Sequence, residues 1–123
     1  MEERADERLG TVTIAPGVLV TIASLSALSV PGVRRMSERA SRHMRILGVG
    51  GIGQGTRVQV VDGAVSVDLH IIVEGGVNML KVGRAIQATV TRAIQDMVGM
   101  EVREVNVYID DVEFPAATPP QET

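Results

Sequence analysis

The sequence predicts a two-layer α+β domain, with helices on one face of a mixed sheet in the order β-α-β-(linker)-β-β-α-β. Three observations carry this prediction. Residues 56–74 alternate apolar and polar across an Asp62-Gly63 pair, residues 78–98 repeat apolar side chains at steps of three and four, and residues 105–109 alternate again. A period of two marks half-buried strands and a period near 3.6 marks an amphipathic helix. Strands and a helix that each carry one apolar face bury them against one another.

Residues 1–8 are densely charged, without apolar periodicity, and read as a solvated leader too acidic to open a secretory signal. Thr11–Ala15 reads as a short strand with Val12 and Ile14 on one face. Pro16 then suits the first turn of a helix. From Ala15 to Val33 no residue is charged. The helical part, Gly17 to Val30, is shorter than the ~20 residues needed to span a bilayer and is diluted by Thr21, Ser24, Ser26 and Ser29, so a buried helix is expected instead. Its best face is Val18, Ile22 and Leu25. Val20, Ala27 and Leu28 leave the back apolar as well, and they form the candidate self-association face, because a helix apolar all round is covered on both sides.

Pro31-Gly32 ends that helix, and Val33 to Met36 can form another short strand. The linker that follows is basic and then glycine-rich, spanning 37–55. Arg34, Arg35, Arg39, Arg42 and Arg45 face a single acid, Glu38, and are the candidate contacts for an anionic partner or membrane surface. A solvated segment paired with acids elsewhere in the chain is the simpler expectation. Gly48-x-Gly50-x-x-Gly53 matches a dinucleotide-binding string, but it opens onto a strand, and no helix N-terminus is aimed at a phosphate. No cofactor is expected.

The hairpin then places Val58 and Val60 on one strand face. Val65, Val67, Leu69, Ile71 and Val73 share a face of the next strand, with Ser66, Asp68 and His70 opposite. Asp62-Gly63 accepts the positive φ of a tight turn. In the long helix, Val82, Ile86, Thr89, Ala93 and Met97 share one side, widened by Ala85, Val90 and Ile94. Asn78 can cap its start, and Gly99 can take the left-handed position after its end. Val105, Val107 and Ile109 form the last strand. Residues 113–123 are a Pro-rich tail, disordered by composition, so one domain is expected over 9–112.

Composition narrows the chemistry. The chain has no cysteine, which excludes disulfides, thiolate metal sites and cysteine nucleophiles together. The net charge of −3 argues against indiscriminate nucleic-acid binding. His70 and Asp68 share a strand face two residues apart, yet two ligands do not make a metal site. Asp110, Asp111 and Glu113 lack the alternating oxygen ligands of a calcium loop. No serine sits in a nucleophile elbow. With no metal, no catalytic constellation and no identified small-molecule substrate, a binding or scaffold role is expected rather than an enzyme.

Several blocks resemble the bacterial alkaline-shock, or cell-envelope stress response, protein family (YloU-like). They are Gly10-x-Val12-x-Ile14-Ala15-Pro16, Val30-Pro-Gly-Val33-x-x-Met36-Ser37, Val65-Ser-Val-Asp-Leu-x-Ile71-x-Val73-Glu74, Gly76-Val-Asn78 and Glu101-Val-x-Glu104-Val-Asn-Val107. The resemblance covers about residues 9 to 112. It implies a small, non-enzymatic cytoplasmic protein of envelope homeostasis, of a kind whose members in some cases self-associate and are held at the inner membrane face by a membrane-anchored partner protein; contact with an anionic lipid surface is the separate expectation from the basic segment. It supplies no catalytic residues. The basic stretch Arg39 to Arg45 departs from the family pattern. The competing expectation is a small RNA-binding α+β module that uses the basic linker, against which stand the acidic net charge and the lack of stacking aromatics.

Overall fold

The computed structural model describes residues 9–38, the backbone of 51–53, and residues 55–116. Helix α1 (Pro16–Leu28) is followed by strands β1 (Val33–Met36), β2 (Gly51–Gly53), β3 (Thr56–Val61) and β4 (Ala64–Glu74). Helix α2 (Met79–Val98) and strand β5 (Glu101–Glu113) complete the chain order. The leader 1–8, the linker residues 39–50 and the tail from 117 lie outside the described residues.

Strand β4 is the centre. Along one side it pairs in parallel with β5 over its whole length, from Ala64↔Glu101 to Glu74↔Glu113. Its other side is shared, antiparallel, by β3 over Ala64–Leu69 and by β1 over Ile71–Val73. His70 closes the junction between them. Its N–H donates to the Gly55 carbonyl at 2.7 Å, and its carbonyl accepts from the Ser37 N–H at 2.8 Å. The sheet is five-stranded and mixed, as the α+β expectation required, and β2 extends it beyond β3.

The periodicity of β4 decides the core. Val65, Val67, Leu69, Ile71 and Val73 are all fully buried, on the face that meets both helices. Each such side chain contributes about 1.5–3 kcal/mol when taken out of water. Helix α2 buries Val82, Ile86, Val90 and Ile94, a strict step of four, so its contact stripe is narrower than expected. Ala85 and Met97 face outward, Met97 being 69% exposed. Its ends follow sequence chemistry. Asn78 accepts from the Lys81 N–H, and Gly99 takes the left-handed conformation at φ 76°. Helix α1 buries Leu19, Ile22, Ala23 and Ala27, and the Ser24 hydroxyl meets that of the fully buried Thr56 at 2.8 Å, which satisfies a polar pair inside the core.

Two expectations are corrected. Thr11–Ala15 does not form a strand. Residues 10–15 belong to no helix or strand, Val12 is 93% exposed, and both sides of β4 are already occupied by other strands. The glycine-rich linker, conversely, ends in the short strand β2, which pairs Gly53 with Thr56.

Gly55 makes the β1/β3 junction possible. At φ +71°, a Cβ there would lie 2.7 Å from the His70 carbonyl oxygen and 2.8 Å from that of Ser37. The His70 carbonyl cannot move away without losing the bond that it accepts from the Ser37 N–H. Gly55→Ala is therefore expected to destabilise the fold by at least about 1–3 kcal/mol from backbone strain alone. Gly63→Ala, with an open surround at φ +77°, bears the strain without the clash. Urea midpoints of the two variants check this, and Gly55→Ala should have the lower one.

Candidate functional site

Three features could engage a partner: a polar row on the open sheet face, the outer face of α1, and a groove beside β5. Register irregularities build the first. Between Ile109 and Asp111 the β4–β5 ladder skips Asp110, and between Val33 and Arg35 the β1–β4 ladder skips Arg34. A bulge adds a residue without changing the face of its successor, so two consecutive side chains can emerge together.

The bulge in β1 lets Arg34 and Arg35 converge on one carboxylate. Arg34 Nε lies 3.2 Å from Glu113 Oε1, and Arg35 Nη2 donates to Glu113 Oε2 at 2.7 Å. The hydrogen bond from Arg35 is the main cause that holds the Glu113 carboxyl below its ordinary range, and the same bond raises Arg35. Of the five arginines assigned to an anionic partner, these two are already engaged within the chain. Arg39, Arg42 and Arg45 lie outside the described residues.

The bulge in β5 turns Asp110 toward His70. His70 Nδ1 is 3.2 Å from each Asp110 carboxylate oxygen, and the imidazole stacks on Tyr108 with centroids 4.5 Å apart. Asp68, the neighbour that the strand period offers to His70, is taken elsewhere. It accepts from Asn106 Nδ2 at 2.9 Å and lies 3.8 Å from Arg57 Nε, too far for a hydrogen bond. Arg57 donates instead to Gln59 at 2.9 Å, and its buried Nε has no hydrogen-bond partner. Among the described residues no three His, Asp or Glu side chains converge to hold a metal ion. The row cross-links strands β3, β4 and β5 on the solvent side. The sequence reading considered Asp110 only within an acidic terminus, because the parallel pairing of β4 with β5 that brings it to His70 is not a local property of either strand.

On α1, the structure redraws the candidate self-association face. Ala27 is fully buried and Val20 packs against the core, so neither is available to a partner. Leu28 is 39% exposed. Val18 and Leu25, placed toward the core by the sequence reading, are 44% and 62% exposed. The outward stripe is Val18, Thr21, Leu25 and Leu28. The helix is apolar on nearly every side, so the sequence alone could not say which side the sheet would take.

The third feature is an open groove of about 360 Å³ between α2 and β5, floored by Met79, Leu80, Gly83, Val107 and Ile109. Arg84 and Gln87 supply its polar lining, and Gln87 Nε2 donates to the Val105 carbonyl at 3.1 Å.

The Arg35–Glu113 pair makes acid stability testable. The folded carboxyl titrates below its unfolded value, so its contribution is present above the ordinary carboxylate range and is lost as pH falls through the lowered folded value. Glu113→Gln should lower the urea midpoint near neutral pH and converge with the unaltered protein as pH falls through the lowered folded value. A constant difference across that range would contradict the assignment.

Comparison with known proteins agrees with this architecture. The uncharacterised protein YqhY of Bacillus subtilis is 29% identical over 113 residues, covering 91% of this chain and 84% of its own. The uncharacterised protein Spy1535 of Streptococcus pyogenes is 27% identical over 107 residues, covering 86% and 81%. Among solved structures, the copper form of MamM CTD superposes with a TM-score of 0.56 at 18% identity, covering 86% of this chain and 96% of that one. A MamM CTD variant superposes at 0.53 with 20% identity, covering 79% and 95%. At such identity the likeness is one of fold. The alkaline shock protein 23 family, described as having a cell envelope-related function, matches residues 4–114, and the chain belongs to that family.

Proposed function

We propose that the protein is a non-enzymatic scaffold of cell-envelope homeostasis that associates with itself and works at the cytoplasmic face of the membrane. Family membership supports the envelope role. The observation that carries self-association is the outward stripe of α1. Val18, Leu25 and Leu28 stand exposed on a helix without a single charged residue. A contiguous apolar strip of this kind marks an interaction surface more often than a solvated one.

No helix among the described residues is long and apolar enough to cross a membrane. Membrane association would therefore come by contact, through a membrane-anchored partner protein or an anionic lipid surface. Arg34 and Arg35 are held by Glu113, which leaves direct lipid contact to Arg39, Arg42 and Arg45. The same engagement withdraws two cations from any reading in which the basic segment grips nucleic acid.

Light scattering coupled to size-exclusion chromatography tests the association at micromolar concentration. The unaltered protein should elute above monomer mass, and Leu25→Glu combined with Leu28→Glu should shift it to monomer while retaining its helical signal. A strict monomer for the unaltered protein would count against the proposal. In liposome sedimentation, Arg39→Glu with Arg42→Glu should abolish pelleting if lipid is touched directly and leave recruitment by a protein partner intact.

A further inference from the structure

Among the described residues strand β5 pairs with no strand but β4, so its outer side is a sheet edge there. Natural proteins cover or disrupt such edges, because unpaired N–H and C=O groups recruit another strand. Here the register irregularities at Arg103 and Asp110 bracket a regular run from Glu104 to Ile109, and that run lies beside the apolar groove against α2. A helix next to a free strand edge can receive an extended segment, with backbone bonds on one side and pockets for alternate side chains on the other.

The same chain carries a segment that fits. Residues 10–15 belong to no strand among the described residues, and Ala15 is extended at φ −68°, ψ 147°. The apolar residues of the segment, Val12 at 93% and Ile14 at 43%, are exposed. We propose that Thr11–Ala15 of one copy adds as an antiparallel strand to the β5 edge of a second copy, with Val12 and Ile14 entering the groove beside Met79, Leu80 and Gly83. This rests on the self-association reading and names its interface.

Register follows from side-chain direction. Val12 stands opposite Ile109 and Ile14 opposite Val107, so all four face α2 and both pairs exchange backbone hydrogen bonds. The next bonding pair would be Pro16 with Val105, and it is already closed from both sides. Proline has no N–H to give, and the Val105 carbonyl accepts from Gln87. The added strand therefore stops where α1 begins. Docking the segment also brings the outward stripe of α1, directly downstream, to the second copy.

The test uses the absence of cysteine from the chain. Thr13 would oppose Tyr108 in a non-hydrogen-bonded pair, with Cα atoms about 4.5 Å apart, inside the range that a disulfide spans. Full-length Thr13→Cys and Tyr108→Cys proteins, mixed and oxidised mildly at micromolar concentration, should give a mixed disulfide between the two chains, identified by peptide mass. In the unaltered protein, amide exchange at Val107 and Ile109 should slow as concentration rises. Association seen by light scattering without either signal would overturn the strand addition and leave the scaffold reading standing. A disulfide that closes within one chain of the double variant would overturn exchange between copies. A strict monomer would overturn both readings.

Discussion

Everything in this fold depends on β4 being hydrogen-bonded along both sides while one of its faces is sealed. Val65, Val67, Leu69, Ile71 and Val73 are each fully buried, and a slip of one residue would turn all of them to solvent. Register is therefore fixed by the hydrophobic face, and the neighbours must accommodate it. Strand β5 follows for the whole length of β4, whereas β3 and β1 divide the opposite side and meet at His70, where Gly55 allows the two chain segments to approach.

Long pairing with a fixed face explains the bulges. The extra residues are Arg103 and Asp110 in β5 and Arg34 in β1, each left unpaired where the ladder shifts register. Each addition frees a polar side chain to turn along the open face. Asp110 thus reaches His70, and Arg34 joins Arg35 on Glu113. The polar face is a consequence of keeping the apolar face in register. The ion pairs of Arg34 and Arg35 with Glu113 are partly exposed and tie strand ends together, and their energetic contribution is small beside that of the core.

Helix α1 shows a different constraint. It meets the sheet through Leu19, Ile22, Ala23 and Ala27, small enough at two positions to let α1 approach closely, while the Ser24 hydroxyl meets Thr56 and that of Thr21 donates to the Gly17 carbonyl. The outer face is uncharged, with Val18, Leu25 and Leu28 exposed. Among the described residues, the uncharged outer helix face, the extended segment before it and the outer edge of β5 are the surfaces on which the proposed self-association rests.

The sequence by itself determined the hairpin, the long helix with its Asn78 and Gly99 ends, the last strand and the α+β class, because hydrophobic period and turn chemistry are local properties. It also placed the inner row of β4 correctly. It misplaced the outer face of α1, because a helix apolar on nearly every side carries no directional signal; only docking onto the sheet decided that Ala27 goes in and Leu25 stays out. It expected a strand at Thr11–Ala15, where the alternation is present but the segment pairs with no strand among the described residues. It tied His70 to Asp68 by spacing, whereas a bulge far along the chain supplied Asp110. Pairing partners and bulges arise from the meeting of distant segments, and for that reason only the tertiary structure could decide them.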